Sequence, residues 1–163
     1  MKKLLIVRHA KSSWDDISQK DFDRPLNDRG HRDAPKMAKR LLKDDVAIDA
    51  LITSTALRAL TTAEYFAEAF DIKKKNIIQE PSLYLAEPKV FFEIISKIDD
   101  DHKTVAIFSH NPGITEFANQ LSNTRVDDMP TCAIFAVKAD IKNWKEFAEA
   151  EKKFWFFDYP KNE

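Results

Sequence analysis

Leu4-Leu5-Ile6-Val7-Arg8-His9-Ala10-Lys11 begins with four apolar residues that show no helical period and then turns abruptly polar. A short continuous apolar run of this kind is the pattern of a strand buried on both faces. The pattern recurs at residues 48–52, followed by Thr53-Ser54, and at residues 104–108, followed by Ser109-His110-Asn111. Helical patterns lie between these runs. Residues 27–42 place Ala34, Met37, Ala38, Leu41 and Leu42 on one face behind a cap at Asn27 or Asp28. Pro35 either kinks that helix or lies in the first turn of one that becomes regular near Asp33. Residues 54–70, capped by Ser54 or Thr55, space Leu57, Leu60, Ala63, Phe66, Ala67 and Phe70 for one face. Pro88 opens a third helix with Val90, Phe91, Ile94, Ile95 and Ile98 in a stripe, and Pro112 opens a fourth with Ile114, Phe117, Ala118 and Leu121 inward. Ile77-Ile78 is a brief strand candidate, residues 132–137 and 154–157 are closing strands, and residues 144–152 are helical. Strands alternating with helices predict an α/β fold in three layers: a mainly parallel central sheet with helices on both faces. The 163 residues fit a single domain spanning 1–163.

Composition narrows the chemistry. Lys and Arg total 26 against 27 Asp and Glu, a net charge of −1, so no global field draws the chain onto nucleic acid or an anionic membrane. A single cysteine, Cys132, excludes an intramolecular disulfide and a multi-cysteine zinc site. There are two glycines, Gly30 and Gly113, where about 7% is average. Neither the three-glycine dinucleotide loop nor the P-loop can be built from them. A phosphate would therefore be held by side chains and helix N-termini. The apolar run behind Lys2 and Lys3 is too short for a signal-peptide core, and no run reaches membrane length, so the expected location is the cytoplasm.

Ligands of open α/β sheets bind beyond the carboxyl ends of the strands. The first strand delivers Arg8 and His9 there. The second delivers Thr53 and Ser54, with Arg58 in the opening turn of the following helix. The strand at 104–108 delivers Ser109, His110 and Asn111. A cation such as Arg58 near a helix start opposes the helix dipole, and a bound anion would reverse the sign of that effect. If these strands are parallel neighbours, two histidines and two arginines meet at one edge: an anion site that contains a nucleophile.

These residues carry a resemblance. Arg8-His9-Ala10-Lys11 resembles the opening Arg-His-Gly motif of the histidine phosphatase superfamily, and Ser54-Thr55-Ala56-Leu57-Arg58-Ala59 with Thr61-Thr62-Ala63 resembles its Ser-x-x-x-Arg-Ala-x-x-Thr-Ala helix. Ser109-His110-Asn111-Pro112-Gly113 resembles the second histidine motif. Asp23-Arg24-Pro25-Leu26 with Arg29-Gly30 is similar to the loop and helix start of the small phosphohistidine phosphatases of the SixA type. The departures are Ala10, where glycine is usual, and Asn111, where many members have glycine. The resemblance implies a phosphoglycerate mutase-like fold and a metal-independent phosphatase without cofactor. It implies His9 as nucleophile, Arg8 and Arg58 as clamps on the phosphoryl oxygens, and His110 as a donor to one of them. Lys11 and Asn111 would add to the phosphate- and substrate-binding set. Planar guanidinium forks can neutralise a phosphoryl group without a metal, and a neutral imidazole can attack in line. A proton donor for the leaving group is left open among Glu80, Glu87, Tyr84 and Asp15.

The 52 positions that separate Arg58 from His110 are filled by regular elements and leave no lid insertion. Enzymes for small phosphorylated metabolites usually cover their substrates. An open site favours a phosphorylated protein, with histidine phosphotransfer domains among the candidate partners and phosphohistidine as the hydrolysed group. The alternatives are a phosphatase for small phosphate esters and a catalytically idle phosphoprotein-binding module.

Overall fold

Strand β1, Lys2–Arg8, lies at the centre of the molecule, and its side chains alternate between two cores. The computed structural model describes residues 1–162. Leu4 and Ile6 face one hydrophobic cluster, Leu5 and Val7 the other. The remaining elements follow as α1 (Asp28–Lys43), β2 (Ala50–Thr53), α2 (Leu57–Ala69), β3 (Ile78–Gln79), α3 (Pro88–Ile95), β4 (Thr104–Ser109), α4 (Gly113–Leu121), β5 (Ile134–Ala139) and β6 (Lys152–Asp158). The six strands form one sheet in the order β3-β2-β4-β1-β5-β6. Strands β3, β2, β4 and β1 are parallel to one another, while β5, antiparallel to β1, and β6, antiparallel to β5, complete the other edge. Residues of α1 and α2 cover one face and residues of α3 and α4 the other, which is the three-layer α/β arrangement.

Several local expectations shift. Helix α1 starts at Asp28 with the Asn27 side chain accepting from the Gly30 amide, so Pro35 lies inside the helix rather than in its first turn. The cap of α2 is Ala56, not Ser54 or Thr55, and Leu57 is 40% exposed while Arg58 is buried. The helix is rotated so that its first turn faces the sheet edge. Only Trp144–Glu146 forms a 3-10 turn where a helix over residues 144–152 is expected, since β6 begins at Lys152. Trp144 is held there by long-range bonds to Asp100 and the His102 carbonyl, which local periodicity does not encode. Both glycines mark close approaches. A Cβ on Gly30 would stand 2.2 Å from the Lys11 carbonyl oxygen, and one on Gly113 would stand 1.8 Å from that of Ala86. Among the described residues no helix is long and apolar enough to cross a membrane.

Candidate active site

Because β2, β4 and β1 are parallel and adjacent, their carboxyl ends open onto one edge. Arg8 pairs with Ser109 across β1 and β4, and Thr53 pairs with Phe108 across β2 and β4. The chain leaves this edge at His9, Ser54 and His110, all buried. The end of β1 is fixed by two devices. Cys132, at φ 62, turns its amide to both the Arg8 and His9 carbonyls, each at 3.0 Å. The Ala10 amide donates to the Thr62 hydroxyl at 3.0 Å, which itself donates to the Arg58 carbonyl, tying β1 to α2. The role of Thr62 is a side-chain contact across 52 positions and leaves no trace in periodicity.

His9 and His110 have ring centroids 5.1 Å apart. His9 Nδ1 lies 2.8 Å from the Ala10 carbonyl, so it carries the hydrogen and leaves Nε2 as the ring's acceptor. Arg58 Nε donates to that Nε2 at 3.3 Å. Burial, followed by the charges of His110, Arg58 and Arg8, lowers His9 to about 3 against the raising effect of the Ala10 contact, so the ring is neutral at ordinary pH. His110 is lowered to about 3 as well, first by burial and then by Arg58. Its Nε2 is 2.7 Å from the Ser54 hydroxyl, whereas its Nδ1 is buried without a partner. Arg8 donates through Nη1 to the Met129 carbonyl at 2.8 Å, and its Nε is also buried and unpartnered.

The other residues of the expected set make contacts of their own. Asn111 turns its amide to Asp128 and the Met129 carbonyl at 2.7 and 3.2 Å and accepts from Thr115 at 2.6 Å, so it secures the segment on which Arg8 rests. Lys11 is half-buried, and its carbonyl accepts from the Asn27 amide. Of the proton-donor candidates, Tyr84 stands edge-on to His110 at 5.5 Å and donates to Asp21, while Asp15 and Glu87 are exposed and Glu80 is half-buried. Asp21 itself is a site neighbour that sequence reading missed, because it lies in a polar loop with no periodic signal. Among the described residues no group of three or more His, Cys, Asp or Glu side chains is placed to hold a metal ion.

The model of the histidine phosphatase superfamily (branch 1) matches residues 4–98, more than half of the chain. The chain belongs to that superfamily. An uncharacterized chloroplastic protein of Arabidopsis thaliana is 31% identical over 153 residues, covering 89% of this chain and 70% of that protein. Phosphoserine phosphatase 1 of Hydrogenobacter thermophilus is 29% identical over 107 residues, covering 63% of this chain and 50% of that one. In fold, the protein histidine phosphatase SixA complexed with tungstate superposes with a TM-score of 0.82 over 98% of both chains at 22% identity.

Proposed function

We propose that this protein is a metal-independent phosphatase that hydrolyses phosphohistidine on another protein through a phosphorylated His9. One observation carries the reading. The buried side-chain polar atoms without a partner, among the described residues, are Arg8 Nε and His110 Nδ1, and both belong to residues beside His9. Unpaired buried donors cost about 1–3 kcal/mol each, and a phosphoryl group on His9 would offer oxygens to both. In the tautomer in which the Ser54 hydroxyl donates to Nε2, His110 carries its hydrogen on Nδ1 and donates it to a phosphoryl oxygen. His9 is neutral, tautomerically fixed by Ala10, and its Nε2 lone pair is the attacking atom. Arg8, Arg58 and His110 then meet the three oxygens of the transferring group, where positive donors stabilise developing charge. Attack forms the Nε2–P bond and breaks the bond to the leaving group, which departs with its electron pair and takes a proton from solvent. Water then attacks phosphorus, and Nε2 departs with its electron pair.

The protein substrate is supported by the surface around this site. Trp14 stacks on the Arg24 guanidinium at 3.7 Å and is 68% exposed, Ile17 in the same loop is 97% exposed, and Leu57 and Leu85, next in sequence to Arg58 and Tyr84, are exposed as well. Apolar side chains around an anion slot suit a macromolecular rim better than a small polar ester. A direct comparison of substrates with chelator present tests this. A phosphohistidine protein should exceed p-nitrophenyl phosphate in kcat/KM by at least about a hundredfold, equivalent to roughly 2.7 kcal/mol of transition-state binding. Equal values would favour the small-ester reading, to which the likeness to a phosphoserine phosphatase also points.

A further inference from the structure

We propose that Asp21 is the positioning residue for Arg58, holding its guanidinium so that one edge faces His9; this rests on the reading of Arg58 as a phosphoryl clamp. Asp21 grips Arg58 at two points. Arg58 Nη1 donates to the Asp21 main-chain carbonyl at 2.6 Å and Nη2 donates to its carboxylate at 3.0 Å. Those contacts use the outer end of the planar fork. The edge formed by Nε and the second Nη2 hydrogen is left on the side of His9, where Nε already donates at 3.3 Å. A guanidinium has five donors in one plane, so fixing two of them fixes the direction of the rest.

Asp21 is in turn immobilised. The Tyr84 hydroxyl donates to Oδ2 at 2.5 Å, and Arg24 meets Oδ1 through Nε and Nη2, each at 3.1 Å. The carboxylate thus accepts from three side chains on three different segments. Arg24 is anchored by Ser12 and covered by Trp14, and Tyr84 packs edge-on against both Phe22 and His110. The Tyr84 bond, joined by Arg58 and Arg24, holds Asp21 at about 2, so it is an anion in the working range and a poor proton donor. Tyr84, raised by the same contact, keeps its hydrogen at ordinary pH and donates it to Asp21. The Asp21 side chain is 46% exposed whereas that of Arg58 is 5% exposed, so the arginine depends on this contact more than the aspartate does. The polar loop that separates β1 from α1 thereby acts on the reaction through Arg58, without touching the reacting atoms.

The test compares Asp21→Asn, Asp21→Glu, Arg58→Ala and the double variant Asp21→Asn/Arg58→Ala in the full chain. Three quantities are read: kcat/KM for p-nitrophenyl phosphate, affinity for inorganic phosphate, and hydrogen exchange of the Arg58 Nε–H by NMR. Asp21→Asn should speed that exchange, weaken phosphate binding and lower kcat/KM about tenfold, and Asp21→Glu should recover part of each. In the Arg58→Ala background the further loss from Asp21→Asn should fall below about twofold, because the residue through which it acts is gone. An unchanged Nε–H exchange rate in Asp21→Asn would overturn the proposal, as would an undiminished penalty in the Arg58→Ala background. If the wild type binds phosphate yet turns over no phosphate compound, the phosphatase reading fails instead. The exchange and phosphate-affinity measurements still decide the role of Asp21.

Discussion

His9 and His110 are both neutral in the folded protein at pH values where free histidine is half protonated. Each is lowered from 6.5 to about 3, so between those values the unfolded chain binds protons that the folded chain does not. Stability is fully present above the unfolded value and falls as pH is lowered from 6.5 toward about 3. Each histidine contributes a slope of up to about 1.4 kcal/mol per pH unit in that window. Urea denaturation between about pH 4.5 and 6 should show this slope, with His9→Ala retaining roughly half of it. Asp21, lowered from 3.8 to about 2, adds its own loss chiefly below 3.8, under the pH range of that measurement. A second expectation concerns Arg58. Its contact with His9 comes from the Nε edge of a planar fork, which an ammonium cannot reproduce. Arg58→Lys should lower kcat/KM by about a hundredfold. Activity should survive EDTA, since guanidinium groups supply the charge that a metal would. Restoration of a chelated enzyme by magnesium would contradict this.

At the scale of elements, the joints between strand ends and helix starts decide where the site residues stand. Thr62 is fully buried and accepts the Ala10 amide, so Thr62→Val leaves that amide without a partner and should cost about 1–3 kcal/mol in denaturant unfolding. Gly113→Ala should be worse for function than for secondary structure. Its Cβ would collide with the Ala86 carbonyl, and relief must move the start of α4, three residues from His110. A lowered Tm together with lowered turnover would show it. These joints also mark how far the sequence could be read. Continuous apolar runs such as Leu4 to Val7 announce buried strands because both faces need covering, and the polar residues after them fall at one edge once the strands are parallel. The inward face expected of α2 does not include Leu57, because its first turn faces the sheet edge and buries Arg58 and Ala59 instead. Asp21 escaped for a related reason: its partners Arg24, Arg58 and Tyr84 are joined by tertiary contacts from an irregular loop, which no period encodes.

For the molecule as a whole, a phosphoprotein reading requires two separable functions, an anion slot at the sheet edge and a rim that meets the partner. Ile17 is 97% exposed in the loop between β1 and α1. Ile17→Asp should therefore lower kcat/KM for a phosphohistidine protein about fivefold, near 1 kcal/mol, while leaving p-nitrophenyl phosphate turnover unchanged. Equal effects on both substrates would show that Ile17 acts on the slot and not on the partner. The central claim is narrower, that His9 carries the phosphoryl group, and rapid quench with a ³²P-labelled phosphohistidine protein addresses it most directly. The account predicts a transient label on the wild-type chain that is acid-labile and alkali-stable, as a phosphoramidate is, and that maps to His9. In His9→Ala, folded by circular dichroism, both label and turnover should be absent. A label at another residue, or turnover retained by that variant, would contradict it.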